Sequence, residues 1–405
     1  MDRRHFLSSG LALGCSAAAS PLLAPMALAS APWDARLVVI ILRGGMDGID
    51  VIRPYGDQAF YRTRGDLTRD AVEDGGDLGG FFALHPALMS LYPLWQAGEF
   101  GAMHAVSTPY RDKRSHFDGQ DMLEAGTDQL PGPRGRDGWL NRMLQTVPGV
   151  ESETTFAIGR EDLIVTSGDA PISRWSPDAQ LSLSPQARTL LELVYENDPL
   201  FHAASSDAIA IAEQLKIDSE AETSASEMMM SDPMMEQIKP NSGHVKVARF
   251  AANRLRGSTR VAAFSLNGWD THFNQAKSLP RALSRLSDTI LTLKAGLGPV
   301  WDKTAVLALT EFGRTAKQNG TGGTDHGTGG AMLFAGGAVR GGQILGDWPG
   351  LNLPDLYAGR DLMPTRDVRA GAAWAMRGLF GLDRAVLEDA IFPGLDLGPD
   401  LKLIA

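Results

Sequence analysis

The sequence predicts a doubly wound α/β fold, a mostly parallel sheet with helices on both faces. Three observations carry this. Leu37-Val38-Val39-Ile40-Ile41-Leu42 is a run of six apolar residues, four of them β-branched, the pattern of a strand buried on both faces. Leu279, Leu283, Leu286, Ile290, Leu293 and Leu297 form a helical stripe ahead of a second apolar run, Ala305-Val306-Leu307-Ala308-Leu309. Strand and helix patterns alternate along the chain, and no internal repeat is detected.

Taken in order, the elements begin with an address. Arg3-Arg4-His5-Phe6-Leu7 matches a twin-arginine export core, and Ala27-Leu28-Ala29 offers a cleavage site before Ser30. Residues 1–29 are therefore expected to be a signal peptide, read by the twin-arginine translocation machinery, and the mature protein to be periplasmic. Pro21 and Pro25 interrupt the apolar stretch too much for a stable transmembrane anchor. Cys15 is the only cysteine. A lipoprotein signal needs Leu three residues before it, where Ala12 stands, so Cys15 is expected to leave with the signal. The mature chain then has no disulfide and depends on its core. Residues 30–405 are expected to form a single α/β domain.

Within that domain, Leu84, Leu88, Leu91 and Trp95 give a helical pattern opened by His85-Pro86, and Phe100 to Val106 reads as a strand. A helix is expected from Ser115 toward Gly126. Ser115 then either caps it or presents a hydroxyl where the helix dipole favours negative charge. His116 is read as a buried structural histidine in preference to a partner of a site. Near 200–245 a helical pattern gives way to Ser/Glu-rich sequence and five Met between Met228 and Met235. Soft copper binding is one reading of such methionines; a cap or lid insertion is preferred. Val261 to Leu266 reads as a strand, Pro280 suits a first helical turn, and Thr365-Arg366-Asp367 precedes a capped helix from Val368 to Leu379.

The formal charge is −10, and removing Asp2, Arg3 and Arg4 (a net +1) makes it −11. An acidic chain without basic runs is a poor binder of nucleic acid or anionic membranes. The composition is that of an ordinary soluble domain.

Chemistry concentrates where apolar runs end. Arg43-Gly44-Gly45-Met46-Asp47-Gly48 follows the first strand, and Gly268-Trp269-Asp270-Thr271-His272 follows Val261 to Leu266. Thr310-Glu311-Phe312-Gly313-Arg314-Thr315 follows Leu309, and Thr324-Asp325-His326-Gly327 arrives on a glycine-rich loop. Sites of open α/β sheets form at the C-terminal ends of strands. If the turn stays extended, Asp270 and His272 point to one side and share one metal. The economical reading is a distributed carboxylate–imidazole site. Mixed Asp/His ligands fit a divalent metal, zinc first and manganese second, better than calcium.

Together the Arg-Gly-Gly-x-Asp-Gly, Ser-His-Phe-Asp-x-Gln-Asp, Trp-Asp-Thr-His, Glu-Phe-Gly-Arg-Thr and Gly-Thr-Asp-His-Gly motifs resemble an uncharacterised, twin-arginine-exported bacterial family, domain of unknown function 1501. The resemblance runs from about Leu37 to about Leu379. That family is placed in the alkaline phosphatase and sulfatase superfamily, so the resemblance implies an alkaline-phosphatase-like fold with divalent metals at the C-terminal edge of the sheet. It implies that Asp47, Asp270, His272, Glu311 and His326 are metal ligands, beside Asp325 of the Asp-His pair as read above, and that Ser115 is a nucleophile. Arg43, Arg114 and Arg314 would clamp a small anionic ester substrate. Phe312 departs from the pattern: it stands where a His usually follows the carboxylate, which removes one imidazole from a second metal site. The expected function is an exported metal-dependent hydrolase of phosphate or sulfate esters. The alternative is a non-catalytic metal-binding or assembly protein of the envelope that retains only the fold.

Overall fold

A computed structural model describes residues 33–68, 76–130, 137–176 and 238–405. The expected signal peptide, Cys15, the Met-rich run and most of the expected insertion lie outside the described residues. The described residues build one large sheet from β1 (Arg36–Arg43), β2 (Phe100–Ser107), β3 (Thr155–Ile158), β4 (Ser173–Trp175), β5 (Val261–Asn267), β6 (Thr304–Leu309), β7 (Gly330–Ala335), β8 (Ile344–Leu345) and β9 (Arg366–Asp367). Their order is β8-β2-β7-β6-β1-β5-β3-β4, with β9 also paired to β2. All pairings are parallel except those of β7, which runs antiparallel to both β2 and β6.

Burial on both faces explains the unbroken apolar run of β1. Val38, Ile40 and Leu42 enter one core cluster, and Leu37, Val39 and Ile41 enter the other. Each such side chain contributes about 1.5–3 kcal/mol when fully buried. The first cluster is covered by α3 (Gly243–Arg256) and α4 (Gln275–Leu297), the second by α2 (Trp139–Gln145) and α5 (Val368–Phe380). This is the doubly wound arrangement. Among the described residues no helix is long and apolar enough to cross a membrane.

Three details differ from the sequence reading. Helix α4 starts at Gln275, so Pro280 lies inside it rather than in the first turn. The ring removes the hydrogen bond to the Ala276 carbonyl, which belongs to an exposed residue and is open to solvent. The pattern after His85 divides into a 3₁₀ turn, Pro86–Leu91, and a short helix, Tyr92–Gln96, with Pro93 at the start of the second. Residues 243–245, the end of the expected insertion, belong to α3, and Val245 packs in the core.

Helix α1 (His116–Ala125) has Ser115 as its N-cap, one of the two placements the sequence offers for it. The Ser115 hydroxyl accepts from the Asp118 amide at 3.4 Å, and Gly126 closes the helix in the left-handed region. Asp367 likewise caps α5 by accepting from the Arg369 amide.

Candidate metal centre

The loops leaving β1, β2, β5 and β6 and the loop entering β7 meet at one edge of the sheet, the C-terminal edge of its parallel strands. Close backbone contact sets their spacing. A Cβ on Gly44 would lie 2.5 Å from the Asp270 amide nitrogen, and one on Gly323 would lie 2.3 Å from the Thr271 carbonyl oxygen. Only glycine allows these loops to touch.

At the meeting point the nearest imidazole nitrogens and carboxylate oxygens of His116, Asp270 and His326 all lie within 4.8 Å of one another. His272 joins them. Its Nε2 is 2.8 Å from His326 Nε2 and 3.2 Å from Asp270 Oδ1. Asp270 Oδ1 is 3.4 Å from His326 Nε2, and its Oδ2 is 3.4 Å from His116 Nε2. The alternate-residue spacing of Asp270 and His272 thus brings both to one point.

What the other ring nitrogens do is decisive for the chemistry. His326 Nδ1 is 2.8 Å from the Arg114 carbonyl oxygen, which can only accept, so Nδ1 carries the proton. His272 Nδ1 lies 3.1 Å from Asp325 Oδ1, and His116 Nδ1 lies 2.8 Å from Glu311 Oε1. Each ring is thereby held with its Nε2 facing Asp270. His116 Nε2 is buried and makes no hydrogen bond among the described residues. The ionised carboxylates of Asp270 first and then Glu311, one beside each ring nitrogen, raise the His116 pKa to about 9 against burial. Its Nε2 therefore holds a proton unless a cation takes that place.

The carboxylates stay ionised. Burial pushes Asp270 up, but His116, His326 and the Arg314 guanidinium outweigh it and hold the carboxyl below the usual range. Glu311 is fully buried, yet His116, Gln120 and the Gly44 amide hold it low too. Asp325 is lowered chiefly by Asn319, then by His272. Three imidazole nitrogens around an ionised carboxylate are an N/O donor set that suits zinc once His116 gives up its Nε2 proton.

Several expected ligands are placed differently. Glu311 and Asp325 orient His116 and His272 rather than joining the central group. Asp47 is buried and stands apart, because Arg64 grips both of its oxygens and Gln275 donates to Oδ2 at 2.7 Å. An oxygen pair occupied by a guanidinium is not free for a metal. Arg314 is no substrate clamp: it is fully buried, and it donates to the Gly44, Gly45, Trp269 and Thr324 carbonyls and to Asp270. Arg43 is similarly spent on Gln120, Glu124 and Glu161. Arg114 is exposed, and its guanidinium makes no hydrogen bond among the described residues. Ser115 immediately precedes His116, its amide bonded to the Tyr110 hydroxyl at 2.7 Å.

Sequence reasoning took His116 for a structural residue; the structure makes it part of the group. The signal was present in its neighbours, a His one residue after a helix cap in a chain with a carboxylate past β6. Phe312 also has a place. Its ring lies 5.1 Å from the rings of both His116 and His326, an apolar floor beneath two candidate ligands.

Fold and site together define a mixed α/β protein with a His/Asp group at the C-terminal edge of a mostly parallel sheet. The family described as protein of unknown function DUF1501 matches residues 88–373, and the chain belongs to it. The match is narrower than the span of the motifs and leaves Asp47 outside. No curated protein matches the sequence. Among solved structures, the chain is similar to the lipoteichoic acid synthase LtaP from Listeria monocytogenes, with TM-score 0.39, 8% identity, and 89% of this chain and 76% of that one covered. It is also similar to a protein in the alkaline phosphatase superfamily from Vibrio parahaemolyticus, with TM-score 0.37, 11% identity, and coverage of 91% and 73%. For alkaline phosphatase from the Antarctic bacterium TAB5 the figures are 0.35, 11%, 76% and 92%. These are loose likenesses.

Proposed function

We propose that this chain is an exported, metal-dependent hydrolase of phosphate or sulfate esters. The observation that carries the metal is the convergence of three imidazole Nε2 atoms on Asp270, each ring held at Nδ1 by an acceptor. His116, Asp270, His272 and His326 would hold the ion, zinc first and manganese second. A bound divalent ion would supply Lewis-acid stabilisation of negative charge on the transferred group.

The chain's own residues supply the rest. Ser115, at the head of α1 beside His116, is the nucleophile in this reading. Its oxygen would bond to phosphorus or sulfur as the ester P–O or S–O bond breaks and the alcohol leaves with the serine proton; water would later release phosphate or sulfate and restore the hydroxyl. Arg114 is the exposed cation left to bind the anionic substrate. A second reading draws on the Ser115 N-cap: the hydroxyl is structural, and the protein holds metal without Ser115 chemistry, as a binding or assembly protein of the envelope.

Elemental analysis of the purified protein, paired with a panel of phosphate and sulfate esters, tests both. The hydrolase reading expects metal in the wild type, its loss in His272→Ala, and turnover reduced by several powers of ten in Ser115→Ala with metal retained. Full turnover in Ser115→Ala would remove the serine step. Metal without turnover on any ester leaves the second reading, and a wild type free of metal ends both. Export is tested separately by replacing Arg3 and Arg4 with Lys; undiminished periplasmic protein would show another route.

A further inference from the structure

Gln275, the first residue of α4, is fully buried and uses its whole hydrogen-bonding capacity. Its amide nitrogen donates to Asp47 Oδ2 at 2.7 Å and to Asp50 Oδ2 at 2.8 Å. Its carbonyl oxygen accepts from the Thr271 hydroxyl at 2.9 Å and the Thr324 hydroxyl at 2.7 Å. Carboxylates only accept, so the two acids fix which way the amide faces.

The four partners have a pattern. Thr271 stands between Asp270 and His272, and Thr324 immediately precedes Asp325 and His326. Asp47 belongs to the loop after β1 and is anchored by Arg64. One side chain therefore ties the two loops that carry Asp270, His272 and His326 to a fixed ion pair. The tie is reinforced by the backbone, since the Thr324 amide donates to the Thr271 carbonyl at 3.2 Å and the Gln275 amide to the Gly322 carbonyl at 2.9 Å. No other side chain offers two donors and two acceptor sites at this reach: Glu lacks the donors, and Leu or Met lacks both.

We infer that Gln275 is a positioning residue that sets the spacing of His272 Nε2 and His326 Nε2. It touches neither ring; it acts through Thr271 and Thr324. The inference rests on the metal reading for its consequence, but not for its geometry. Partners that orient metal ligands are worth about 10–100-fold in metal affinity in other metalloproteins.

Three variants test it: Gln275→Leu removes the clamp, while Thr271→Val and Thr324→Val each cut one arm and leave the helix start intact. Two readouts are needed. The first is the Kd for zinc, measured by competition with a chromophoric chelator. The second is the imidazole ¹⁵N spectrum of metal-free protein, which reports whether His272 and His326 keep the proton on Nδ1. The clamp predicts zinc binding weakened by about 10–100-fold. It also predicts loss of the Nδ1–H form in at least one ring, in the threonine variants even if Gln275→Leu fails to fold. Zinc Kd within twofold of wild type together with unchanged ring spectra would overturn it, whatever happens to stability. If wild-type protein takes up no zinc, the metal reading has failed, and the ring spectra alone decide. Altered tautomers keep the clamp, and unaltered ones remove it.

Discussion

His104 shows how a single buried residue makes stability depend on pH. It lies in β2 with its Nδ1 accepting from the Ala105 amide at 2.8 Å and its Nε2 3.0 Å from the Ile52 carbonyl oxygen. Both contacts suit the neutral ring, since a proton on Nδ1 would displace the amide. Burial, the largest influence, lowers its pKa to about 4. The sign follows. Unfolded His104 takes up a proton near its ordinary pKa of about 6.5 and the folded residue only near 4, so stability is full above that range and falls as pH drops through it. The loss from this one residue is about 3 kcal/mol. Urea unfolding of wild type and His104→Gln between pH 7 and 4 should show a steeper decline in the wild type; parallel curves would count against the argument.

The same scale explains what could be read in the residues. Asp270 and His272 were legible because alternate positions on an extended turn share a side. His116 was not, because its orientation depends on Glu311, remote in sequence and brought close by the sheet. Gln275 gave no sign at all: its four partners come from three separate loops. The assignment of Arg43 and Arg314 to substrate failed for a common reason. An arginine near a site is as often holding loops together, and only the count of occupied donors tells which.

At the scale of elements, strands were read well where burial is two-sided, as in β1, because six apolar residues in a row suit a strand that has a core against each face. Boundaries suffered where proline sits in a helix, since Pro280 suggests a start that Gln275 provides earlier. The contacts between loops were not legible, and they carry a prediction. Gly44 has φ +125° and a would-be Cβ against the Asp270 amide; Gly159 has the same φ and nothing within 4 Å. Alanine at either should cost about 1–3 kcal/mol in backbone strain. Only Gly44→Ala should also displace Asp270 and lower metal content. Thermal unfolding and elemental analysis of the two variants separate strain from contact. Equal metal in both would mean that the β1 loop does not set the position of Asp270.

For the whole molecule, the doubly wound sheet brings four sequence-distant segments to one edge, and strand β7 matters to how. It runs against its neighbours, so the long loop from Thr310 to Gly329 leaves β6 and returns to the same edge instead of crossing a face. That is why Glu311, Asp325 and His326 remain together although a glycine-rich stretch divides them. The sequence made the strands and the edge legible. It left open which of the residues there face one another, because that depends on the sheet order.

The ion pair of Asp47 and Arg64 has a consequence for how this edge responds to its surroundings. The guanidinium is a counter-ion that belongs to the chain. It does not dissociate on dilution and cannot be exchanged for a metal. The carboxylate of Asp270 is balanced on one side by Arg314 but looks outward on the other. One half of the edge thus carries an inherited charge balance, the same in every medium the protein enters. The other half takes on the ionic character of its compartment.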